Sequence, residues 1–190
     1  MTTRTLLLLL CFTCMQSPVT QAEQRVVAYS EITLPGRVLL LRHASAPGYG
    51  DPPEFALGDC TTQRNLDSKG RAQAVRLGAR LRAAGIGHVR ILSSQWCRAL
   101  DTAHLLDLGI VESTLVLNSF FEGHSDRHVV LSGLRALFAA LPLDGVPVVL
   151  VTHQVVINAF TDAFPPVAGG SVFQVNGTGT PQWLGVLPME

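Results

Sequence analysis

The chain has 190 residues, 47% of them hydrophobic and 15% charged, with 14 basic and 14 acidic side chains. That length and balance suit one compact globular domain. A formal net charge of zero excludes nucleic acid or an acidic polymer as a partner drawn in by overall charge.

In chain order, the first feature is Arg4 followed by Leu6 to Leu10, Cys11 and Phe12, then by Pro18 and the small-residue end Thr20-Gln21-Ala22. This is the layout of a secretory signal peptide. Residues 1–22 are therefore expected to be a signal, with 190 − 22 = 168 residues left as one domain, 23–190, in a periplasmic or secreted protein. The apolar part is short for a bilayer span, and an uncleaved anchor is the alternative. Phe12 and Thr13 before Cys14 do not suit lipoprotein processing. No later stretch is long and apolar enough to cross a membrane, so no stable membrane insertion is expected after cleavage. Cys11 and Cys14 fall in the signal, which leaves Cys60 and Cys97. In an oxidising compartment these form a disulfide, or else they are two separate buried thiols.

Val26 to Ile32 reads as a short edge strand. Gly36 to Ala44, with its run Val38-Leu39-Leu40-Leu41, reads as a strand buried on both faces, the kind found in parallel sheets. Pro47 to Asn65 is a long Gly/Pro-rich loop, and such loops in compact domains are usually functional. Asp67 and Ser68 cap a helix to about Ala84 with Gly85 as its stop; Ala74, Leu77, Gly78 and Leu81 form its inner stripe. Arg71, Arg76, Arg80 and Arg82 form its solvated face. Val89 to Leu92 is a second strand, and Ser93-Ser94 caps a helix from Gln95 to about Leu108. A short strand at Leu115 to Leu117 precedes an irregular stretch, Asn118 to Asp126, and a helix from about Val129 to Leu141. Val146 to Val151 is the most apolar strand and turns at Thr152-His153 into a helix near Gln154 to Phe160. Ser171 to Val175 and Trp183 to Val186 are closing strands, with Asn176-Gly177 as a turn signal. Alternating strands and helices predict an α/β protein, a three-layer α/β/α sandwich with a mostly parallel central sheet.

Three of these strands end in groups suited to an anion. The first ends in Arg42-His43. The second ends in Ser93-Ser94, with Arg98 in the first turn of the following helix, where backbone N–H groups favour negative charge. The most apolar strand ends in His153. Ligands of open α/β sheets bind outside the carboxyl ends of the strands, so these side chains converge on one expected anion pocket. Taken singly, Arg98 could pair with Asp101, and His153 could be a satisfied core histidine. Arg64 in the long loop is either a further phosphate contact or a surface arginine, and Trp96 either walls the pocket or packs in the core.

Leu41-Arg42-His43-Ala44, Ser94 to Ala103 and Val151-Thr152-His153 resemble, in order and spacing, the motif series of the histidine phosphatase superfamily, also called phosphoglycerate mutase-like. Asn65-Leu66 to Ala74 resembles the family's opening of its first long helix. The resemblance spans nearly all of the chain after the signal and implies a histidine phosphatase domain over 23–190. It implies that His43 is the nucleophile taking the phosphoryl group, with Arg42, Arg98 and His153 around the phosphoryl oxygens and no metal or other cofactor. It further implies a proton donor after the third strand, for which Glu122 is the first candidate and Asp126 the second. The absence of a large insertion implies an open, capless pocket for exposed phosphates, and the chain is similar to the branch that includes lipopolysaccharide core heptose phosphatases. The expected activity is that of an exported phosphomonoesterase, its partner a phosphorylated small molecule or an envelope glycan. A phosphohistidine protein phosphatase is the enzymatic alternative, and a non-catalytic phosphoryl-binding module the alternative from another class.

Other chemistries leave less trace. A cysteine phosphatase needs an arginine six residues after its cysteine, but Leu66 and Ala103 stand there. No phosphate-binding Gly-Lys-Ser/Thr loop, Gly-x-Ser-x-Gly elbow or His-Glu-x-x-His helix is present. A zinc site from His43, His153 and Glu122 stays open on composition alone.

Overall fold

A computed structural model describes residues 25–87 and 89–188; the expected signal, residues 1–22, lies outside the described residues. The strands are β1 (Arg37–Arg42), β2 (Arg90–Ser93), β3 (Val111–Ser113), β4 (Val148–Thr152), β5 (Gly170–Gln174) and β6 (Gln182–Val186). The helices are α1 (Ser68–Ala83), α2 (Cys97–Leu106), α3 (Arg127–Ala140) and α4 (Gln154–Thr161). The strands form one sheet in the order β3-β2-β4-β1-β5-β6. The β3-β2, β2-β4 and β4-β1 pairs are parallel, and β5 runs antiparallel to both β1 and β6. The expected α/β sandwich with a mostly parallel sheet is the observed fold.

The two faces explain the uninterrupted apolar runs. Leu39 and Leu41 of β1 and Val149 and Val151 of β4 pack with Leu77 and Leu81 of α1 and Ala99, Ala103 and Leu106 of α2. Val38, Leu40, Val148 and Leu150 point the other way, onto Val130, Leu134 and Phe138 of α3 and Val156 and Ile157 of α4. With helices on both faces, the inner residues of the central strands, Val38 to Leu41 and Val148 to Val151, need to be apolar, at about 1.5–3 kcal/mol for each large side chain buried. Gly78 lets α1 lie directly against α2, since a β-carbon there would stand 2.1 Å from the Leu106 carbonyl oxygen.

Asp67 caps α1, its side chain accepting from Gly70 N–H at 2.7 Å. Three expectations shift. Val26 to Ile32 is not a strand: a single parallel bridge joins Val26 to Val186, and Tyr29–Thr33 is a 3-10 turn. Glu31 explains it by accepting the Ala28 N–H at 3.2 Å and pairing with Arg25 at 2.7 Å, local bonds that wind the chain. Leu115–Leu117 is likewise a 3-10 turn, and the strand lies earlier, at Val111–Ser113. Only Leu117 of its two leucines is buried, so no two-residue alternation operates there. The helix after Ser93-Ser94 begins two residues late, at Cys97: the Ser94 hydroxyl contacts His153 and Asn118 and accepts the Trp96 N–H ahead of the helix, and no side chain caps the helix itself.

Candidate active site

The carboxyl ends of β1, β2 and β4 meet at a cavity of about 190 Å³ lined by Arg42, His43, Arg64, Arg98 and His153, with Ser119 and Phe121 on one wall. All four side chains expected to bind or attack phosphate are thus brought together. His43, Arg98 and His153 are almost fully buried, each at most 4% exposed.

His43 is fixed from several directions. Its N–H donates to Thr152 O at 2.9 Å, and its carbonyl accepts from Ala168 N–H at 3.2 Å. The next residue, Ala44, donates its N–H to Thr102 Oγ1 at 3.0 Å. The ring Nδ1 lies 2.8 Å from the Ala44 carbonyl oxygen. A carbonyl only accepts, so Nδ1 carries the proton and the lone pair sits on Nε2. Nε2 faces Arg98 Nε at 3.3 Å. Burial first, and the Arg98 charge second, push the His43 pKa down to about 3; the imidazole is neutral and nucleophilic at any physiological pH. His153, 5.3 Å away between ring centroids, is driven well below the usual histidine range by burial and by Arg98. Its Nε2 lies 2.8 Å from Ser94 Oγ.

Arg42 donates through Nη1 to Pro165 O at 3.0 Å, while its buried Nε has no hydrogen-bond partner. A buried, unspent guanidinium donor beside an imidazole is a place for an anion. Two helices also begin here: Arg98 lies in the first turn of α2, and His153 is the residue preceding α4. Their N-terminal dipoles add to the positive field.

The long loop supplies what the strand ends do not. Cys60 and Cys97 form a disulfide, with Cα atoms 5.7 Å apart, so the loop is tied to the start of α2. Gln63 Oε1 accepts the Cys97 N–H at 2.9 Å. Arg64 donates to the carbonyls of Ala46, Gly48 and Gly50, which makes it a cavity residue rather than a surface one. Asp51 is the residue that sequence reasoning missed. Its side chain is 3% exposed and meets Arg98 end-on, Oδ1 to Nη1 at 2.7 Å and Oδ2 to Nη2 at 3.1 Å. The alternative Arg98–Asp101 pair does not form: Asp101 pairs with Arg71 at 2.8 Å. Trp96 is core, 1% exposed and stacked on Phe55 at 5.0 Å, with one polar task, donating Nε1–H to Asp51 Oδ2 at 3.1 Å. Three arginines and one carboxylate around two neutral imidazoles leave the cavity at about +2, matched to a phosphate dianion.

Glu122 sits at the rim in a left-handed conformation, φ 55°. Its side chain is 44% exposed. Its carboxylate lies against Gly50, where a β-carbon would come within 2.7 Å of Oε2. Asp126 has a different use: it caps α3, accepting the Val129 N–H at 3.0 Å. That N–H and the one of His128 hold its carboxyl below the usual range, which disfavours a proton donor. Among the described residues, no three His, Cys, Asp or Glu side chains are grouped to hold a metal ion, so Glu122 does not join His43 and His153 in the zinc arrangement.

Residues 38–120 match the family model of the histidine phosphatase superfamily (branch 1). No curated protein matches the sequence. Among solved structures, the fold is similar to that of the protein histidine phosphatase SixA complexed with tungstate, at TM-score 0.55 and 18% identity over 80% of this chain and 96% of that one. It is also similar to the putative phosphohistidine phosphatase SixA from Agrobacterium tumefaciens, at TM-score 0.55 and 20% identity over 83% of this chain and 100% of that one. A mycobacterial glucosyl-3-phosphoglycerate phosphatase aligns at TM-score 0.54 and 19% identity, covering 78% of this chain and 95% of the other.

Proposed function

We propose that this chain, whose residues 38–120 match the model of the histidine phosphatase superfamily, is an exported phosphomonoesterase working through a phosphohistidine on His43. The observation that carries the reading is the state of His43: neutral, with Nδ1 committed to the Ala44 carbonyl and Nε2, which accepts from Arg98 Nε, facing a cavity ringed by Arg42, Arg64 and Arg98. The Nε2 lone pair attacks phosphorus in line as the P–O ester bond breaks, and the leaving oxygen takes a proton. Water then attacks phosphorus as the P–N bond breaks, giving a proton to the carboxylate that protonated the leaving oxygen, so that phosphate is released and the neutral imidazole restored. Charge spreading over the three equatorial oxygens meets the Arg42 and Arg98 donors and His153, which accelerate such transfers chiefly by electrostatics. Glu122 at the rim is the proposed proton donor. Export is supported by the leader-like first 22 residues and by the Cys60–Cys97 bridge, a linkage typical of oxidising compartments.

One observation favours the alternative of a phosphohistidine protein phosphatase. Glu122 is half in solvent, and a phosphohistidine imidazole leaves with less help from an acid than an alkoxide does. The test takes the chain without residues 1–22, p-nitrophenyl phosphate and a chelator. Turnover is expected, with an acid-labile, base-stable phosphoenzyme, and His43→Ala should abolish both. Turnover surviving in His43→Ala would overturn the mechanism. A panel of phosphorylated sugars, lipids and phosphohistidine peptides then separates the substrate classes.

A further inference from the structure

Asp51 places a negative charge inside an anion site, which is the opposite of what such a site needs unless the carboxylate does something else. It cannot be the proton donor. Oδ1 accepts from Arg98 Nη1 and from Arg64 N–H at 3.1 Å, and Oδ2 from Arg98 Nη2 and Trp96 Nε1. With four bonds its acceptor capacity is full, and the carboxyl is held below the usual range although burial pushes it upward. Stability is a weak reason for it as well, since a buried ion pair is commonly no better than well-packed apolar side chains.

The geometry at Arg98 supplies the reason. A guanidinium has two usable edges: the end, between Nη1 and Nη2, and the side, between Nε and Nη2. Asp51 takes the end. The side edge faces the nucleophile, its Nε–H donating to His43 Nε2 at 3.3 Å, where two oxygens of a phosphoryl group on that nitrogen would lie and take over the donor. An arginine freed from Asp51 could instead turn its end edge to an arriving phosphate and hold it off line. We propose that Asp51 is a positioning residue for phosphoryl transfer: by occupying the end edge of Arg98 it fixes the Nε side edge beside the nucleophile. This rests on the phosphatase reading above. It gives the long loop a share in catalysis, because Asp51 reaches Arg98 only when the loop is docked.

Asp51→Asn, assayed in the oxidised chain, tests this. Kinetics with p-nitrophenyl phosphate are expected to show kcat lowered about 10- to 100-fold with KM changed less than about threefold, since the interaction being weakened is one made in the transition state. Tungstate binding by calorimetry should weaken at least about tenfold. Were Asp51 only a counter-charge, its removal would raise the cavity from about +2 to about +3, and tungstate would bind more tightly; tighter or unchanged binding overturns the proposal. Gln63→Ala removes one tie of the loop at Cys97 and leaves the disulfide and the Asp51–Arg98 pair in place, so kcat should stay within about threefold. If it reproduces the loss, loop docking in general is the cause and the proposal falls. Should Asp51→Asn fail to fold, Trp96→Phe removes one bond that orients Oδ2, and tungstate binding must weaken by about threefold; no change overturns the idea. If the wild-type chain turns over no phosphate ester, the phosphatase reading fails on its own, while the tungstate titrations still decide the role of Asp51.

Discussion

Two regions face each other across the cavity and are built on different principles. On one side, His43 and His153 stand at the ends of β1 and β4, strands joined residue by residue from Val38–Val148 to Arg42–Thr152. A ladder of that kind spreads the positioning of two imidazoles over many small, redundant bonds. On the other side, residues 47–65 contain only a 3-10 turn, Cys60–Thr62, and are held by a few strong ties: a disulfide, the Asp51–Arg98 pair, and Arg64 reaching three carbonyls. On the proposed mechanism, the sheet side holds the group that forms the covalent bond. The loop side governs how an arginine is presented to it, and it can be undone by breaking single bonds.

Breaking the sheet side should have the largest effect on chemistry. His153→Gln is expected to lower kcat on p-nitrophenyl phosphate by about a thousandfold while circular dichroism stays native, because a group beside the transferring phosphoryl is removed. A loss under tenfold would move His153 out of the site's chemistry. At the rim, Glu122→Gln should slow an alkyl phosphate about tenfold more than an aryl phosphate; equal slowing would sink the proton-donor assignment. The disulfide separates stability from turnover. Its reduction should lower unfolding stability by about 2–4 kcal/mol in denaturant titrations and lower kcat by less than about tenfold, since the sheet side keeps its ladder. The smallest effect on turnover is expected from pH. His43 and His153 stay neutral when folded and take up protons near 6.5 when unfolded. Between about pH 6.5 and pH 4 the unfolded chain therefore binds more protons, and stability falls as pH falls, by up to about 1.4 kcal/mol per unit for each histidine. The apparent melting temperature should drop over that window while kcat for the aryl ester changes by less than about threefold. A steep loss of kcat centred on pH 6.5 would show that the nucleophile has an ordinary histidine pKa.

The sheet side was legible in the sequence because burial on both faces writes itself as apolar runs. Val38 to Leu41 and Val148 to Val151 have no other comfortable state, and Arg42, His43 and His153 at their ends follow from topology. The pairing of Cys60 with Cys97 was open by parity, and the structure closes it. Asp51 was invisible for the opposite reason. Its meaning depends on Arg98, 47 positions away, and a Gly-Asp-Pro-Pro loop has no period to show where it folds. Two short elements went astray where local bonds or single-residue burial outweighed the pattern: Glu31 winding the turn after Arg25, and Leu117 packing alone while Leu115 faces solvent. Glu122 is a candidate through the family resemblance alone, and its exposure and left-handed backbone are not readable from residue type.

Arg64 unites properties that protein engineering usually treats as separable. Its guanidinium is the spool on which Ala46, Gly48 and Gly50 wind their carbonyls, and the same group adds charge to the cavity wall. A lysine, with one compact ammonium, offers no planar fork for several carbonyls set apart along a chain. Shape and charge at this corner are therefore inherited together. A drift that dilutes the field also unspools the segment, and a graft of the loop onto another scaffold carries its electrostatics along.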